Sequence, residues 1–565
     1  MRTRTETVRL EGHAKQAIET GRNRLILAGC LMALAFTAIG GRVIELSVLR
    51  DHNEPDLATV APGARLAVGR ADIVDRNGML VATSLRTPSL YADPHEVLDA
   101  EDAAFRLSTV LTQINPAETA AKLASDKRFI WLKRNLTPRE QQAVNSLGIP
   151  GLHFQDEWKR IYPQGALTAH VVGFTDVDDQ GIAGVERSFD DVLRGGREPL
   201  RLAIDLRIQH VVREEVARQV AQFEGIGGTG MMLDVDTGET VALVSLPDFD
   251  PNVPGQMDPD ALFNRATLGV YEMGSTFKIF NTAMALDTGT ATMRSGYDAT
   301  HPIRIARFTI NDDHAKARWL SVPEIFKYSS NIGSVKMALD VGTERQRAFM
   351  AKLGMLGETA IELPERGRPM VPSPWRPINT MTIAFGHGLA VSPLHLVSGV
   401  AAVVNGGIRH PATLLRADMP APGTRIISEQ TSHDMRRLMR LVVEEGTGRK
   451  AQTDGYVVGG KTGTAEKVSA HGGYRRKALM SSFVAAFPMQ APRYVVLVMV
   501  DEPKGQKESH GYATGGWVAA PAVSRIIARS APLLGVAPAD PESPEIRRDL
   551  MIELPAEGGK RLASF

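Results

Sequence analysis

Cysteine is almost missing from this sequence of 565 residues, where Cys30 stands alone. An intrachain disulfide and a cysteine-based metal site are therefore excluded. No His-Glu-x-x-His pair occurs, and Asn311-Asp312-Asp313-His314, the nearest approach to a ligand cluster, reads as a polar turn. No metal and no cofactor are called for. An excess of either charge is lacking too: 65 Lys and Arg stand against 64 Asp and Glu, a formal net charge of +1. With no long basic run, nucleic acid is not expected as a partner. What remains is the composition of a folded protein, 43% hydrophobic and 23% charged. The length suits roughly two to four domains.

Near the start, residues 1–24 form a basic arm with Arg2, Arg4, Arg9, Lys15, Arg22 and Arg24. The segment from Leu25 to Gly41 is uncharged and ends at Arg42. It sits at the short end of the roughly 17–25 residues that span a bilayer. With Val43, Ile44 and a snorkelling Arg42 it reaches across, giving an expected anchor at 25–44. The basic arm is long for a signal peptide and no small-x-small site closes the apolar run, which favours an uncleaved anchor over a cleaved signal. The positive-inside rule then puts residues 1–24 in the cytoplasm and the rest of the chain outside. Cys30 falls within this span as a small apolar filler.

Residues 46–66, with Pro55, Pro62 and Gly63, read as a linker. Arg70 to Gly78 reads as a short strand entering an Asn77-Gly78 turn, with Met79 to Ala82 as the return strand. Up to about residue 200 the alternation is short and broken, which predicts mixed strands and helices. A helix follows from Ile208 to Gln222, then strands at Met231–Val235 and Thr240–Val244. Two more apolar strands, Met480–Phe487 and Tyr494–Val500, lie near the other end, with a helix-rich middle between. Strands first, helices next and strands last predict an α+β domain over 201–540, one antiparallel sheet built from both ends and packed by helices. The tail at 541–565 opens with Pro541-Glu542-Ser543-Pro544 and reads as loose.

The middle opens on Gly274-Ser275-Thr276-Phe277-Lys278, followed by the apolar run Ile279 to Leu286. On a helix, Ser275 and Lys278 would share a face. A serine hydroxyl is a weak nucleophile until its proton is taken, and a desolvated lysine can take it. A helix N-terminus adds free N–H groups that favour developing negative charge. Taken singly, such a pair is more often a capping serine beside a solvated lysine. Ser321-Val322-Pro323-Glu324 has the form of a helix start, and that helix would deliver Tyr328-Ser329-Ser330-Asn331 at its far end. Serine and asparagine often merely cap and turn there. Farther on comes Gly459-Gly460-Lys461-Thr462-Gly463-Thr464-Ala465, suited to an edge strand that an extended peptide can approach.

In that order, Ser-x-x-Lys, Ser-x-Asn and Lys-Thr-Gly resemble the signature of the penicillin-recognising serine acyl enzymes. The flanks resemble the class B penicillin-binding proteins, peptidoglycan D,D-transpeptidases. They include Arg70 to Gly78 (Ala71 replacing a usual glycine), Arg160-Ile161-Tyr162-Pro163 and Gly181 to Glu186. Later matching pieces are Ala384-Phe385-Gly386-His387-Gly388, Ser392-Pro393-Leu394, Gly446-Thr447-Gly448 and Gly515-Gly516-Trp517. His387 and Ser392 depart from an expected tyrosine and threonine. The resemblance implies the transpeptidase fold, raised on a pedestal at 45–200 whose charged stretches would otherwise read as ordinary surface ion pairs.

The same resemblance implies the roles. Ser275 would be the nucleophile and Lys278 its base, Ser329 would relay a proton, and Asn331 would orient Lys278 and the substrate. Ser330, where relatives often carry aspartate, would point away. Lys461 with Thr462 or Thr464 would bind the donor's terminal carboxylate, Gly463 would give room, and the N–H groups of Ser275 and Thr464 would form the oxyanion hole. The implied partners are the D-Ala-D-Ala donor and amine acceptor stem peptides, β-lactams, a membrane-embedded glycan polymerase and other division proteins at the inner membrane. Glu365 to Pro369, Trp375 and Phe385 to Gly388 resemble the septal type more than the elongation type. A β-lactamase or D,D-carboxypeptidase, or a non-catalytic division scaffold, is the alternative.

Overall fold

The structure is a computed structural model that describes residues 69–554 except 306–307, 418, 420 and 469–472, together with residues 22, 26–27 and 29–39. The first hairpin forms where the Asn-Gly pair predicts it. Gly78 adopts φ of +84°, and the Asp75 side chain accepts from the N–H groups of Asn77 and Met79. The hairpin joins β1 (Ile73–Val74) to the long β2 (Leu80–Ala92). Around β2 gather β3 (Ile130–Lys133) and β4 (Leu152–Ile161), both antiparallel to it, while β5 (Leu200–Arg201) runs parallel to β1. Three helices, α1 (Ala100–Val110), α2 (Pro116–Leu123) and α3 (Pro138–Ser146), start on the capping residues Asp99, Asn115 and Thr137. They close a small core around Leu90, Leu107, Leu111 and Leu123.

Some charged residues of this region pair at the surface, as Arg86 does with Asp156, but one cluster is buried. Arg160 Nε donates to Glu186 Oε1 at 2.6 Å, Arg70 donates to the other oxygen, and Arg70 Nη1 reaches Asp190 Oδ1 at 2.7 Å. The side chains of Arg70 and Glu186 are 0% exposed and that of Arg160 is 2% exposed. Three segments far apart in sequence thus meet on one carboxylate.

Beyond α4 (Leu206–Gln222) the expected sheet assembles from both ends of the chain. It uses β6 (Gly227–Asp234) and β7 (Thr240–Leu246), then β8 (Gly459–Val468), β9 (Tyr474–Phe487) and β10 (Tyr494–Asp501). The order is β8-β9-β10-β6-β7 and every pairing is antiparallel. Successive residues of a strand face opposite sides. Val496 and Val498 of β10 accordingly pack with α4 and with α10 (Ala520–Ser530) on one face. Val495, Leu497 and Met499 join the larger core on the other. Each such side chain, fully buried, contributes about 1.5–3 kcal/mol. The middle supplies α5 (Lys278–Asp287), α6 (Val322–Tyr328), α7 (Asn331–Val341), α8 (Pro393–Val404) and α9 (Glu429–Glu445). Ser392, in place of the expected threonine, caps α8.

One expectation finds no support among the described residues and another is corrected. A transmembrane helix over 25–44 is not supported, because no helix among the described residues is long and apolar enough to cross a membrane. Residues 25, 28 and 40–44 of that segment lie outside the described residues, as do the basic arm apart from residue 22 and the whole linker. The tail, expected to be loose from residue 541, instead forms α11 (Pro544–Leu550), capped by Ser543. Leu550 is buried, and His433 of α9 contacts Asp549 at 2.8 Å.

Candidate active site

Ser275 lies not in the α-helix itself but in a 3₁₀ turn, Gly274–Phe277, that runs straight into α5. Gly274 has φ of +56°, and a Cβ there would come within 2.5 Å of the Thr464 carbonyl, so the turn is pressed against β8. Gly463 completes that approach: a Cβ on it would meet Ser482 Oγ at 2.4 Å and the Met273 carbonyl at 2.8 Å. Lys461, Thr462, Gly463 and Thr464 all lie on β8, at the sheet edge.

The shared face of Ser275 and Lys278 is realised as a contact of 3.0 Å between Lys278 Nζ and Ser275 Oγ. Lys278 is buried, and its amine also contacts Asn331 Oδ1 at 2.7 Å, Ser329 O at 2.6 Å and Ser329 Oγ at 3.0 Å. Burial pushes its pKa down to about 7, opposed only in part by the charges of Asp312 and Asp313. The carbonyl oxygens of Ser329 and Asn331 can only accept, so each takes an N–H of the amine. A neutral amine then has its lone pair left for a hydroxyl, and Ser275 is within reach. On the far side of Ser329, Lys461 Nζ lies 3.0 Å from the same Oγ. Burial, and then repulsion by Lys278, hold Lys461 well below the usual lysine range. A hydroxyl bridging two amines is a path along which a proton can pass.

The capping box predicted at Ser321 forms, with the Glu324 carboxylate accepting from Ser321 N–H at 2.8 Å. Ser329 ends α6 in the left-handed region, at φ of +58°. That bend turns its carbonyl and hydroxyl together toward Lys278. Ser330 points away as expected, yet it is not idle. It caps α7, accepting from Gly333 N–H at 3.0 Å, and donates to Asp312 Oδ2 at 2.7 Å.

Asp312 escaped the sequence reading, which saw only a polar turn. Its other oxygen accepts from the N–H groups of Asn331 at 2.6 Å and Ile332 at 2.9 Å. Asn331 Nδ2 donates to the Asn311 carbonyl at 2.8 Å, which fixes the amide with its oxygen toward Lys278. Thr447 was noted only as part of a matching piece; its hydroxyl meets Thr462 Oγ1 at 2.8 Å. Gly515 N–H likewise donates to Thr464 Oγ1 at 3.2 Å. Neither role has a local sequence signal, since each partner is at least 15 positions away. Among the described residues no cluster of His, Cys, Asp and Glu could hold a metal ion.

With a serine, a depressed lysine and a second buried lysine on one edge strand, the geometry can support acyl transfer through a serine ester. Comparison with known proteins agrees with that chemistry. The profile of the penicillin binding protein transpeptidase domain matches residues 228–528, and that of the penicillin-binding protein dimerisation domain matches residues 65–220. A probable peptidoglycan D,D-transpeptidase FtsI of Caulobacter vibrioides is 42% identical over 481 residues, 83% of this chain and 82% of that protein. The peptidoglycan D,D-transpeptidase FtsI of Escherichia coli is 32% identical, covering 89% of this chain and 90% of that one. The crystal structure of penicillin binding protein 3 from Mycobacterium tuberculosis, complexed with aztreonam, has the same fold. It superposes at a TM-score of 0.68 with 23% identity, over 86% of this chain and 99% of that one. From the paired lysines to the length of these matches, the chain belongs to the penicillin-binding protein transpeptidases.

Proposed function

We propose that the protein is a peptidoglycan D,D-transpeptidase acting in septal wall synthesis, with Ser275 as nucleophile. The contact that carries this reading is Lys278 Nζ on Ser275 Oγ at 3.0 Å, with two carbonyl oxygens holding the amine's N–H groups. Lys278, neutral, takes the Ser275 proton as Oγ attacks the penultimate D-Ala carbonyl of a stem peptide. The N–H groups of Ser275 and Thr464 receive the oxyanion. Ser329, between the two lysines, passes the proton to the departing nitrogen as the C–N bond breaks and D-alanine leaves. An amine from a second stem peptide then takes the acyl group, which regenerates Ser275 and joins two strands. Lys461, with Thr462 and Thr464, binds the terminal carboxylate of the donor. A β-lactam enters by the same attack and leaves slowly. Support also comes from the transpeptidase names of the relatives.

Fluorescent penicillin should label the protein persistently, and Ser275→Ala should show no acyl adduct by intact-protein mass spectrometry while keeping its melting temperature. Rapid turnover of the label would favour a β-lactamase or carboxypeptidase. No labelling of the unmodified chain would favour a scaffold, and an adduct on Ser275→Ala would place the nucleophile elsewhere.

The cellular side of the reading runs from the same chain. Residues 1–24 are the cytoplasmic arm, 25–44 the anchor, 45–200 the pedestal, 201–540 the extracytoplasmic transpeptidase domain and 541–565 its tail. Seven apolar side chains between Ile26 and Ile39, Phe36 among them, are solvent-exposed, which suits a helix that meets lipid. A separate glycan polymerase in the membrane supplies the strands. A fluorescent fusion should fractionate with the inner membrane and gather at midcell. Spread along the side wall would favour the elongation type, and a soluble fusion would sink the anchor.

A further inference from the structure

Close to the nucleophile, three elements converge on one carboxylate that the acyl-transfer steps do not use. Glu272 lies three residues before Ser275, in a two-residue strand, Tyr271–Glu272, that pairs with Ala390–Val391. Its side chain is 9% exposed. Oε1 accepts from the backbone N–H of Gly388 at 2.7 Å. Oε2 lies 2.9 Å from His387 Nδ1 and accepts from the Tyr474 hydroxyl at 3.1 Å. That hydroxyl is also 3.3 Å from His387 Nδ1, and the two rings meet edge to face with centroids 5.5 Å apart.

Each partner belongs to a segment that shapes the site. His387 sits between Gly386 and Gly388, whose φ values of +88° and +79° let the loop hug the Ser275 turn. The Gly386 carbonyl accepts from Gly274 N–H at 3.1 Å, and a Cβ on Gly386 would lie 1.9 Å from the Gly274 carbonyl. Tyr474 begins β9 and pairs with Val468, so it belongs to the hairpin whose other strand carries Lys461 to Thr464. Glu272 therefore ties the nucleophile turn, the glycine-flanked loop and the edge-strand hairpin at one point. Burying a carboxylate is costly unless its partners satisfy it, and here both oxygens are satisfied. Burial and the Glu272 charge raise the Tyr474 pKa, which keeps the phenol a donor.

We propose that Glu272, His387 and Tyr474 form a clamp that positions the Ser275 turn against β8 and so sets the rate of acylation. The clamp rests on the reading of Ser275 as nucleophile. Its physical basis is that the attacking oxygen and the oxyanion donors come from different elements. A misplacement of about 1 Å between them costs on the order of 100-fold. None of the three touches the reacting atoms, so they are positioning residues.

Acylation of the full chain by fluorescent penicillin, followed by rapid quench, separates the dissociation constant of the first complex from the acylation rate constant. Glu272→Ala should slow the rate constant on the order of 100-fold. Its dissociation constant should stay within about twofold of the parent value. Glu272→Gln, which keeps an acceptor for Gly388 N–H, should recover part of the loss, and Tyr474→Phe should be milder. His387→Phe combined with Tyr474→Phe should lose less than the product of the single losses, because the two act through one carboxylate. Parent rates in Glu272→Ala, a loss confined to the dissociation constant, or a loss that tracks a lowered melting temperature would overturn the clamp. If Glu272→Ala does not fold, Glu272→Gln and Tyr474→Phe decide by the same criteria. Ser275→Ala separates the two readings. An adduct on that variant removes the nucleophile assignment, whereas no adduct with parent rates in the clamp variants removes the clamp alone.

Discussion

Lys278 shows how far a single residue can be read. Its spacing from Ser275 gave the shared face, but the depressed pKa comes from burial, and the oxygens that hold the amine lie more than 50 positions away. The sign of its pH dependence follows. Protonated Lys278 cannot accept the Ser275 proton, so the second-order acylation constant should be low in acid, rise through about pH 7 and level off above. Measuring that constant with a pH-independent β-lactam across this range tests it, and a flat profile would exclude Lys278 as the base. Asp312 was illegible for a related reason. A carboxylate that caps a helix 19 residues later has no local pattern, whereas Ser321 and Glu324, three apart, announce their own cap.

At the scale of elements, the edge strand β8 was legible and its fit against the serine turn was not. The glycine of Lys-Thr-Gly suggested close approach, but only the fold shows what approaches: Ser482 across the sheet and the Met273 carbonyl from the turn. Gly463→Ala should push these apart. The expected outcome is a loss of about 1–3 kcal/mol in stability, from overpacking. Acylation should slow on the order of 100-fold. Chemical denaturation and stopped-flow acylation would measure the two, and unchanged acylation would mean the strand tolerates a wider gap. The tail helix α11 was missed because proline and charge read as disorder. Ser543 and Pro544 also fit an N-cap and first helical position, and Leu550 supplies the buried contact.

For the whole molecule, the sheet built from both ends of the domain was legible because strong strand periodicity flanks the helical middle. The buried meeting of Arg70, Arg160 and Glu186 was not, since charge in a sequence carries no sign of burial. Removing the one carboxylate shared by both arginines should be costly, about 3–5 kcal/mol. Glu186→Gln should therefore lower the melting temperature clearly while leaving the acylation constant of the folded fraction unchanged. Loss of acylation without loss of stability would instead give this cluster a part in the chemistry. The sheet topology has one more consequence, in the order of synthesis. β6 pairs with β10, whose nearest residue lies about 260 positions later, and β8 cannot join the sheet without β9 and β10. Closing so long a loop is slow, and it must wait until the chain has emerged past Asp501. Ser275 is made midway, with no edge strand beside it. A chain still being translated is thus chemically silent, and becomes competent for acyl transfer only when nearly complete.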